Sequence, residues 1–471
     1  MNTNSRRTLL ALGVAFALAA GSASATNGYY THGLGTKNKA QAGAGSANPE
    51  ELMVLGTNPA GIAFVGDSLD AGLGFFSPMR DYKTTPVPPE LGPPGACSPM
   101  GCANTIGPNK LSSKNELFFV PYVGAKWSLS DVDHLALAFY GRGGMNTKWV
   151  GGTATYDPTF GQGPDGPQTF PGTFGDGTAG VDLMQGFLNL SYARKLTDTF
   201  SGGVSAIFAM QRFEARGVSN FAPFTKTYVK SYFETGMPTM PKNLSDNGHD
   251  MSYGYGASIG FQWTPVEMFS LAAAYTSKMS MSDFGDYKDL FAQGGGFDMP
   301  STWTIGIAVR PTDGLALMFD VQEISYSDVD SVANPIQNLF QCPILNPQST
   351  NVEYCLGGNK GAGFGWDDMT VYKLGVAWDV TEGGTLRFGY STTDQPIGKD
   401  QMTFNILAPG VMEDHWTVGY TMKRSSGNEW NVSFMYAPEV KISGPQNFDP
   451  RQNVQLKMDQ FELEIGYSWK R

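Results

Sequence analysis

Residues 461–469 read Phe461-Glu462-Leu463-Glu464-Ile465-Gly466-Tyr467-Ser468-Trp469. Every odd position is aliphatic or aromatic, and every even position is acidic or small. Side chains of an extended strand alternate between its two faces, so this stretch has one wholly apolar face and one polar face. Glu462 and Glu464 share the polar face, where they are placed to form an acid pair or to meet cations. A single strand of this kind fits a soluble sandwich as well as a membrane barrel. Its recurrence decides between them. Trp303, Ile305, Ile307 and Val309 repeat the rule, as do Leu315, Leu317, Phe319 and Val321. Tyr372, Leu374, Val376 and Trp378 follow it, then Trp416, Val418, Tyr420 and Met422, then Trp430, Val432, Phe434 and Tyr436. Several of these stripes end in Trp or Tyr, where a lipid–water interface places its aromatic belt.

Counting such segments gives about fourteen strands, an even number as bacterial membrane barrels require. The connections alternate in length. Short turns fall near Ser130–Asp133, Leu196–Asp198, Pro265–Glu267, Pro311–Gly314, Thr381–Gly384 and Arg424–Asn428. Long connections fall near 83–116, 147–180, 217–249, 282–300, 327–369, 393–412 and 438–453. Short periplasmic turns with long outer loops mark a membrane barrel, whereas a sandwich has no reason to sort loop length by strand parity. The expected fold is an all-β membrane protein, a 14-stranded antiparallel outer-membrane β-barrel over residues 68–471.

Composition agrees. Aromatics are 13% and charged residues 16% of the chain, against a usual charged share of about 25%. After the first residues no apolar run is long enough for a membrane-spanning helix. The net charge of −11 argues against nucleic acid, which needs clustered Lys and Arg.

Residues 1–25 read as a signal peptide: Arg6 and Arg7, an apolar Thr8–Ala20, then Ala23-Ser24-Ala25 before a mature start at Thr26. A barrel crosses the inner membrane unfolded, which disfavours the twin-arginine reading of Ser5-Arg6-Arg7. Residues 26–67 do not alternate. Asn48-Pro49-Glu50-Glu51 starts one short helix that Gly56 ends, with Asn48 as its cap, and Asn58-Pro59-Ala60 starts a second that Gly66 ends. So small a unit needs a surface to pack on, and the inside of a barrel supplies one. Residues 26–67 are therefore expected to be a plug.

No catalytic, cofactor or metal constellation stands out. His32, His134, His249 and His415 are scattered. His249 with Asp250 at the rim gives a surface hydrolase a base and an orienting acid, or is a solvated loop junction. Cys97 with Cys102, and Cys342 with Cys355, read as two local disulfides of an exported chain. A zinc site is the rival, and no His lies near either pair. The third long connection carries Phe221, Phe224, Tyr228, Tyr232, Phe233, Met237 and Met240, and the fourth carries Phe284, Tyr287, Leu290, Phe291 and Phe297. That much apolar surface either forms a greasy groove or packs the loops together. Tyr140-Gly141-Arg142-Gly143-Gly144 closes the third strand, and its glycines permit a bulge that opens the wall sideways, or mark a plain strand end.

Several motifs carry a resemblance. They are Gly28-Tyr29-Tyr30-Thr31-His32-Gly33, Asn58-Pro59-Ala60-Gly61, Tyr287-Lys288-Asp289-Leu290-Phe291, Gly363-Phe364-Gly365-Trp366 and Asn405-Ile406-Leu407-Ala408-Pro409. In this order, over nearly the whole chain after Ala25, the sequence resembles the FadL/TodX family of outer-membrane transporters. The resemblance implies passive uptake of long-chain fatty acids or aromatic hydrocarbons, with no cofactor, by a monomer set among outer-membrane lipid and lipopolysaccharide. It implies a plug motif at Asn58, Pro59 and Ala60, and a strand kink at Gly141, Gly143 and Gly144. A groove would be lined by Tyr287, Leu290 and Phe291, with Phe221, Phe224 and Tyr228 across from them. A fatty-acid carboxylate needs cations. Alternation puts Lys373 and Arg387 on the lumen face, and Arg212 and Arg216 end the fifth strand near where the family places one. The chain departs from the pattern in its cysteine-bearing loops and in Lys470-Arg471 beyond the last aromatic. A purely adhesive barrel, serving as a phage receptor, is the remaining alternative.

Overall fold

The computed structural model describes residues 26–95, 104–158 and 166–470. The expected signal peptide and the Cys97–Cys102 pair lie outside these residues. Fourteen long antiparallel strands close into a barrel. They are β1 (Ser68–Thr84), β2 (Phe118–Ser128), β3 (Asp133–Asn146), β4 (Gly180–Thr197) and β5 (Phe200–Arg216). Then come β6 (Asp250–Val266), β7 (Phe269–Thr276), β8 (Thr302–Thr312), β9 (Leu315–Ile324) and β10 (Met369–Thr381). The last four are β11 (Gly384–Thr392), β12 (Asp414–Lys423), β13 (Glu429–Pro445) and β14 (Asn453–Lys470). Each strand pairs with the next, and β1 pairs with β14 from Ser68↔Lys470 to Thr84↔Val454, which closes the ring. No edge is left open to lipid, as a barrel in hydrocarbon requires.

Alternation sets the two faces as the sequence implies. In β14, Leu463 and Ile465 are 38% and 42% exposed, while Glu462 and Glu464 are 2% and 1% exposed. The same outward aromatic and aliphatic stripes recur on the other strands, with Tyr255, Trp303, Trp378, Trp416 and Trp430 exposed. Among the described residues no helix is long and apolar enough to cross a membrane. The strands do the crossing.

The long and short connections fall on opposite ends, with one correction. The expected loop at 438–453 is mostly strand: β13 and β14 run on as a ribbon to Pro445 and Asn453. Val440 and Ile442 on one strand and Val454, Leu456 and Met458 on the other keep the alternation going beyond a bulge between Ala437 and Val440. The first two long loops together build a small sheet from Thr105–Ile106, Thr153–Tyr156 and Gln168–Pro171.

Residues 26–67 are almost wholly buried, and hydrogen bonds tie them to strands on opposite sides of the ring, from Ser201 on β5 to Glu464 on β14. Both expected short helices form, as tight 3-10 turns at Leu52–Gly56 and Pro59–Phe64. Such turns are a common form of very short helices. Asn58 caps the second by accepting from the Ala60 N–H at 3.1 Å. Asn48 does not cap the first. Its Oδ1 accepts from Arg310 of β8 instead, Glu50 is drawn to Arg387, and the turn starts only at Leu52.

Candidate functional site

The interior divides into two halves. Toward the short turns, charge holds the N-terminal segment. Lys39 Nζ lies between Glu462 Oε1 at 2.5 Å and Glu464 Oε2 at 2.6 Å. The polar face of the deciding strand thus meets a cation from the segment. Arg387 on β11 grips Glu50 at 2.9 Å, and Lys37 pairs with Glu429 at 2.8 Å. The Ser46 N–H donates to Asp320 of β9 at 2.9 Å. Burial opposes the charge on Lys39, yet the two carboxylates hold its pKa well above the usual lysine range. Burial likewise raises Glu50, but Arg387 overrides it and holds the carboxyl down at about 2. Among the described residues Glu51 has no cation within ion-pair distance, and burial pushes it up to about 8.

Asn58, Pro59 and Ala60 press against the wall. Asn58 Nδ2 donates to the Ser46 and Phe261 carbonyls, and Ser201 Oγ donates to the Ala60 carbonyl. A Cβ on Gly203 would stand 2.4 Å from Ala60 N, and one on Gly260 2.2 Å from Asn58 Oδ1. Glycine on β5 and β6 is what lets the motif sit this close.

Toward the long loops, rings replace charges. Here β3 carries a bulge: its register with β4 shifts between Gly141 and Gly143, and the strand continues to Asn146. The bulge reading of the three glycines is thus the one the backbone follows, with Arg142 as the extra residue. On the inner side the N-terminal segment covers it. Tyr30 bridges to Gly143, the Thr31 N–H donates to the Arg142 carbonyl at 2.8 Å, and the Gly144 N–H donates to the Tyr29 carbonyl at 2.9 Å. The Arg142 guanidinium stands 4.7 Å over the Tyr30 ring and 5.7 Å over the Phe187 ring. Tyr29 packs at 5.0 Å on Tyr326 and 5.8 Å on Trp366. On the outer side a recess of about 70 Å³ faces lipid, lined by Phe139, Gly141, Met184, Met210 and Met251, with Arg212 at its edge.

The six expected groove residues gather in one apolar cluster. Phe221, Phe224, Tyr287 and Phe291 are buried, and Tyr228 and Leu290 are partly buried against it. In this conformation they pack the loops together. The exposed apolar surface lies farther out, at the end of the helix Lys226–Thr235 and just beyond, where Phe233 is 61% and Met237 73% exposed. A disulfide joins Cys342 and Cys355. The residues that follow brace both greasy loops. The Leu356 N–H donates to the Phe224 carbonyl and its carbonyl accepts from Lys226, while the Gly358 carbonyl accepts from Gln293 of the fourth loop. Glu353 pairs with Lys226 at 2.6 Å.

Two cation assignments need correction. Arg212 and Arg216 lie on the outward face of β5, in line with the exposed Val204 and Phe208, and not in the lumen. Each meets an acid, Asp182 at 3.4 Å and Glu214 at 2.6 Å. Lys373 and Arg387 do face inward, but both are engaged by the N-terminal segment: Lys373 Nζ donates to the His32 carbonyl at 3.0 Å. His249 pairs with Asp182 at 2.8 Å and Glu214 at 3.4 Å. Asp250 instead accepts from the Met251 and Asp286 N–H groups, so the expected base and orienter are not brought together. Among the inward cations that escaped the sequence reading are Arg80 on β1 and Arg142 at the bulge. For Arg80 the signal was available, since Phe76, Pro78, Arg80 and Tyr82 alternate along β1.

A closed lipid-facing barrel with a buried N-terminal segment and a bulged wall defines an outer-membrane channel. The family model for outer membrane transport proteins (OMPP1/FadL/TodX) matches residues 16–459. The chain belongs to this family. It is similar in fold to a Pseudomonas aeruginosa FadL homologue, at 14% identity and a TM-score of 0.62, over 94% of this chain and 99% of that one. The P. putida toluene transporter TodX aligns at 14% identity and a TM-score of 0.57, over 93% of this chain and 99% of that one. The Ralstonia pickettii toluene transporter TbuX aligns at 15% identity and a TM-score of 0.57, over 93% and 98%. No curated protein sequence matches the chain.

Proposed function

We propose that this protein is a passive channel, not an enzyme, that takes hydrophobic small molecules, long-chain fatty acids first among them, into the cell. Cargo is caught by the apolar third and fourth loops at residues 221–240 and 284–297 and passes inward between them. Residues 26–67 act as the plug, with Asn58-Pro59-Ala60 as its wall contact, and cargo leaves sideways at the third-strand bulge. Each CH₂ moved out of water contributes about 0.8 kcal/mol, so no other energy source is needed to draw in an acyl chain.

The observation that carries this reading is the bulge between Gly141 and Gly143, lined outside by apolar side chains and covered inside by Tyr29–Thr31. Deleting Arg142 removes the extra residue and restores a continuous ladder between β3 and β4. The expected outcome is a barrel that still assembles and loses uptake of oleate. Full uptake through the straightened wall overturns lateral exit. Growth of a deletion strain on oleate against toluene decides between fatty acid and aromatic hydrocarbon, the cargo that the names TodX and TbuX carry for those proteins.

A further inference from the structure

We propose that the outer wall where β13, β14 and β1 rise above the bilayer is a docking face for lipopolysaccharide. Lys83 and Lys110 are its contact with the phosphates and acidic core sugars of that glycolipid.

The three strands run on past the outer aromatic belt. Phe461 of β14 pairs with Tyr436 of β13, and both are exposed on the lipid side. Beyond them the outward positions change character, to Asp459, Lys457 and Gln455 along β14 and to Asp81 and Lys83 along β1. The inward positions stay apolar or aromatic, with Tyr82, Val454, Leu456 and Met458 buried. The short strand Lys110–Ser112 of the first long loop pairs with β1 and widens the polar face. Lys457 and Gln455 lie four and six residues past Phe461. At about 3.4 Å per residue and a tilt of about 40°, the face stands about 10–15 Å above the belt. At that height an outer leaflet offers phosphates and acidic sugars, not acyl chains.

Charge on the face is answered unevenly. Lys457 sits between Asp81 at 2.8 Å and Glu439 at 3.0 Å, and Lys441 pairs with Glu439 at 2.5 Å. Farther out, Lys83 stands directly across from Lys110, with Gln455 on its other side. Both lysines are exposed. Among the described residues neither has a carboxylate within ion-pair distance. Like charges set opposite each other in a strand pair repel, and a phosphate between the two ammonium groups answers both. Gln455 and Ser443, joined at 3.2 Å on the same face, offer a sugar an amide and a hydroxyl. The adjoining sector of the rim has the reverse sign. Glu323 and Asp414, in line with the exposed Phe319 and Trp416, have no cation within ion-pair distance among the described residues. An anionic glycolipid is thus kept off that sector and drawn to the lysines. Bound there, it staples the first long loop to β1.

The test uses the purified full chain in maltoside detergent, with binding followed by native mass spectrometry over a concentration series. The probes are lipid A bearing its two acidic core sugars, and phosphatidylglycerol as a sugar-free anionic lipid. Wild type should bind the glycolipid the more tightly. Lys83→Gln with Lys110→Gln should weaken it by about tenfold or more, given what each surface lysine contributes toward an anionic lipid. Lys83→Arg with Lys110→Arg should restore binding. Lys360→Gln with Lys399→Gln, an equal charge change at exposed lysines of other loops, should leave it as in wild type. Equal loss in the two Gln pairs, no loss in either, or phosphatidylglycerol held as tightly as the glycolipid overturns the proposal. So does a dimer that the Lys83 and Lys110 changes abolish, which would give the face to the acidic sector of a second copy. Should the double variant fail the heat-modifiable gel shift that reports an assembled barrel, Lys110→Gln alone decides. It should still weaken the glycolipid, and unchanged binding overturns the assignment.

Discussion

The two halves of the lumen hold the same N-terminal segment by different means. Near the short turns, Lys39, Lys37 and Glu50 each meet an opposite charge on the wall at less than 3 Å. Near the long loops, Tyr29 and Tyr30 are held by rings, by the face of Arg142 and by a few main-chain bonds. A buried ion pair is costly to break, because each partner is left charged in a dry place. Ring contacts contribute about 1 kcal/mol each and can slide. One end of the segment is thus an anchor, and the other is able to move.

The sharpest way to break this contrast is at Lys39. Lys39→Met leaves Glu462 and Glu464 side by side without their cation, a loss of about 3–5 kcal/mol for a buried pair. The segment should come loose at its anchored end, and ion conductance of the reconstituted barrel should rise toward that of an open pore. Conductance equal to wild type would mean that charge is not the anchor. A smaller effect is expected at the other end. Tyr30→Ala removes the ring under Arg142, at a cost of about 1–2 kcal/mol. A spin label near Asn27 should gain mobility while one near Lys37 keeps its wild-type spectrum. Equal loosening of both labels would erase the distinction between the halves.

The smallest effect is set by pH at Glu51. Its carboxyl has an ordinary value of 4.5 and is pushed up to about 8 when docked. Between these values the docked segment keeps a proton that the released one gives up, so docking weakens as pH climbs through that window and levels off above it. Glu51→Gln should flatten the dependence, read as label mobility near Asn38 across the same range. A slope unchanged by the substitution would place the sensitive group elsewhere.

The barrel was legible because period-two alternation survives any detail of tertiary contact. Even the acids at Glu462 and Glu464 could be placed on the lumen face, and a cation did meet them. What failed were contacts between residues far apart in the chain. Asp182 reaches His249 only because β4 and β6 flank β5, and nothing in the neighbouring Asp250 announces it. Arg212 and Arg216 were assigned by likeness to a family position, although the outward Val204 and Phe208 on the same strand fix their side by parity. Asn48 carried every local mark of a helix cap, and lost that role because Arg310 claimed its side chain. In the loops, composition told that apolar surface was present, but not that most of it would be spent on holding the loops together.

The Cys342–Cys355 cross-link has a consequence for how the molecule is finished. Its sulfurs belong to a loop that braces the third and fourth long loops through Leu356 and Gly358, whereas the paired strands of the cylinder are closed without it. Barrel insertion and completion of the mouth are therefore separate events with separate requirements. The second needs an oxidant for thiols on the far side of the inner membrane. Cells lacking that oxidant would insert a sound cylinder, normal in amount, that lies slack at its mouth.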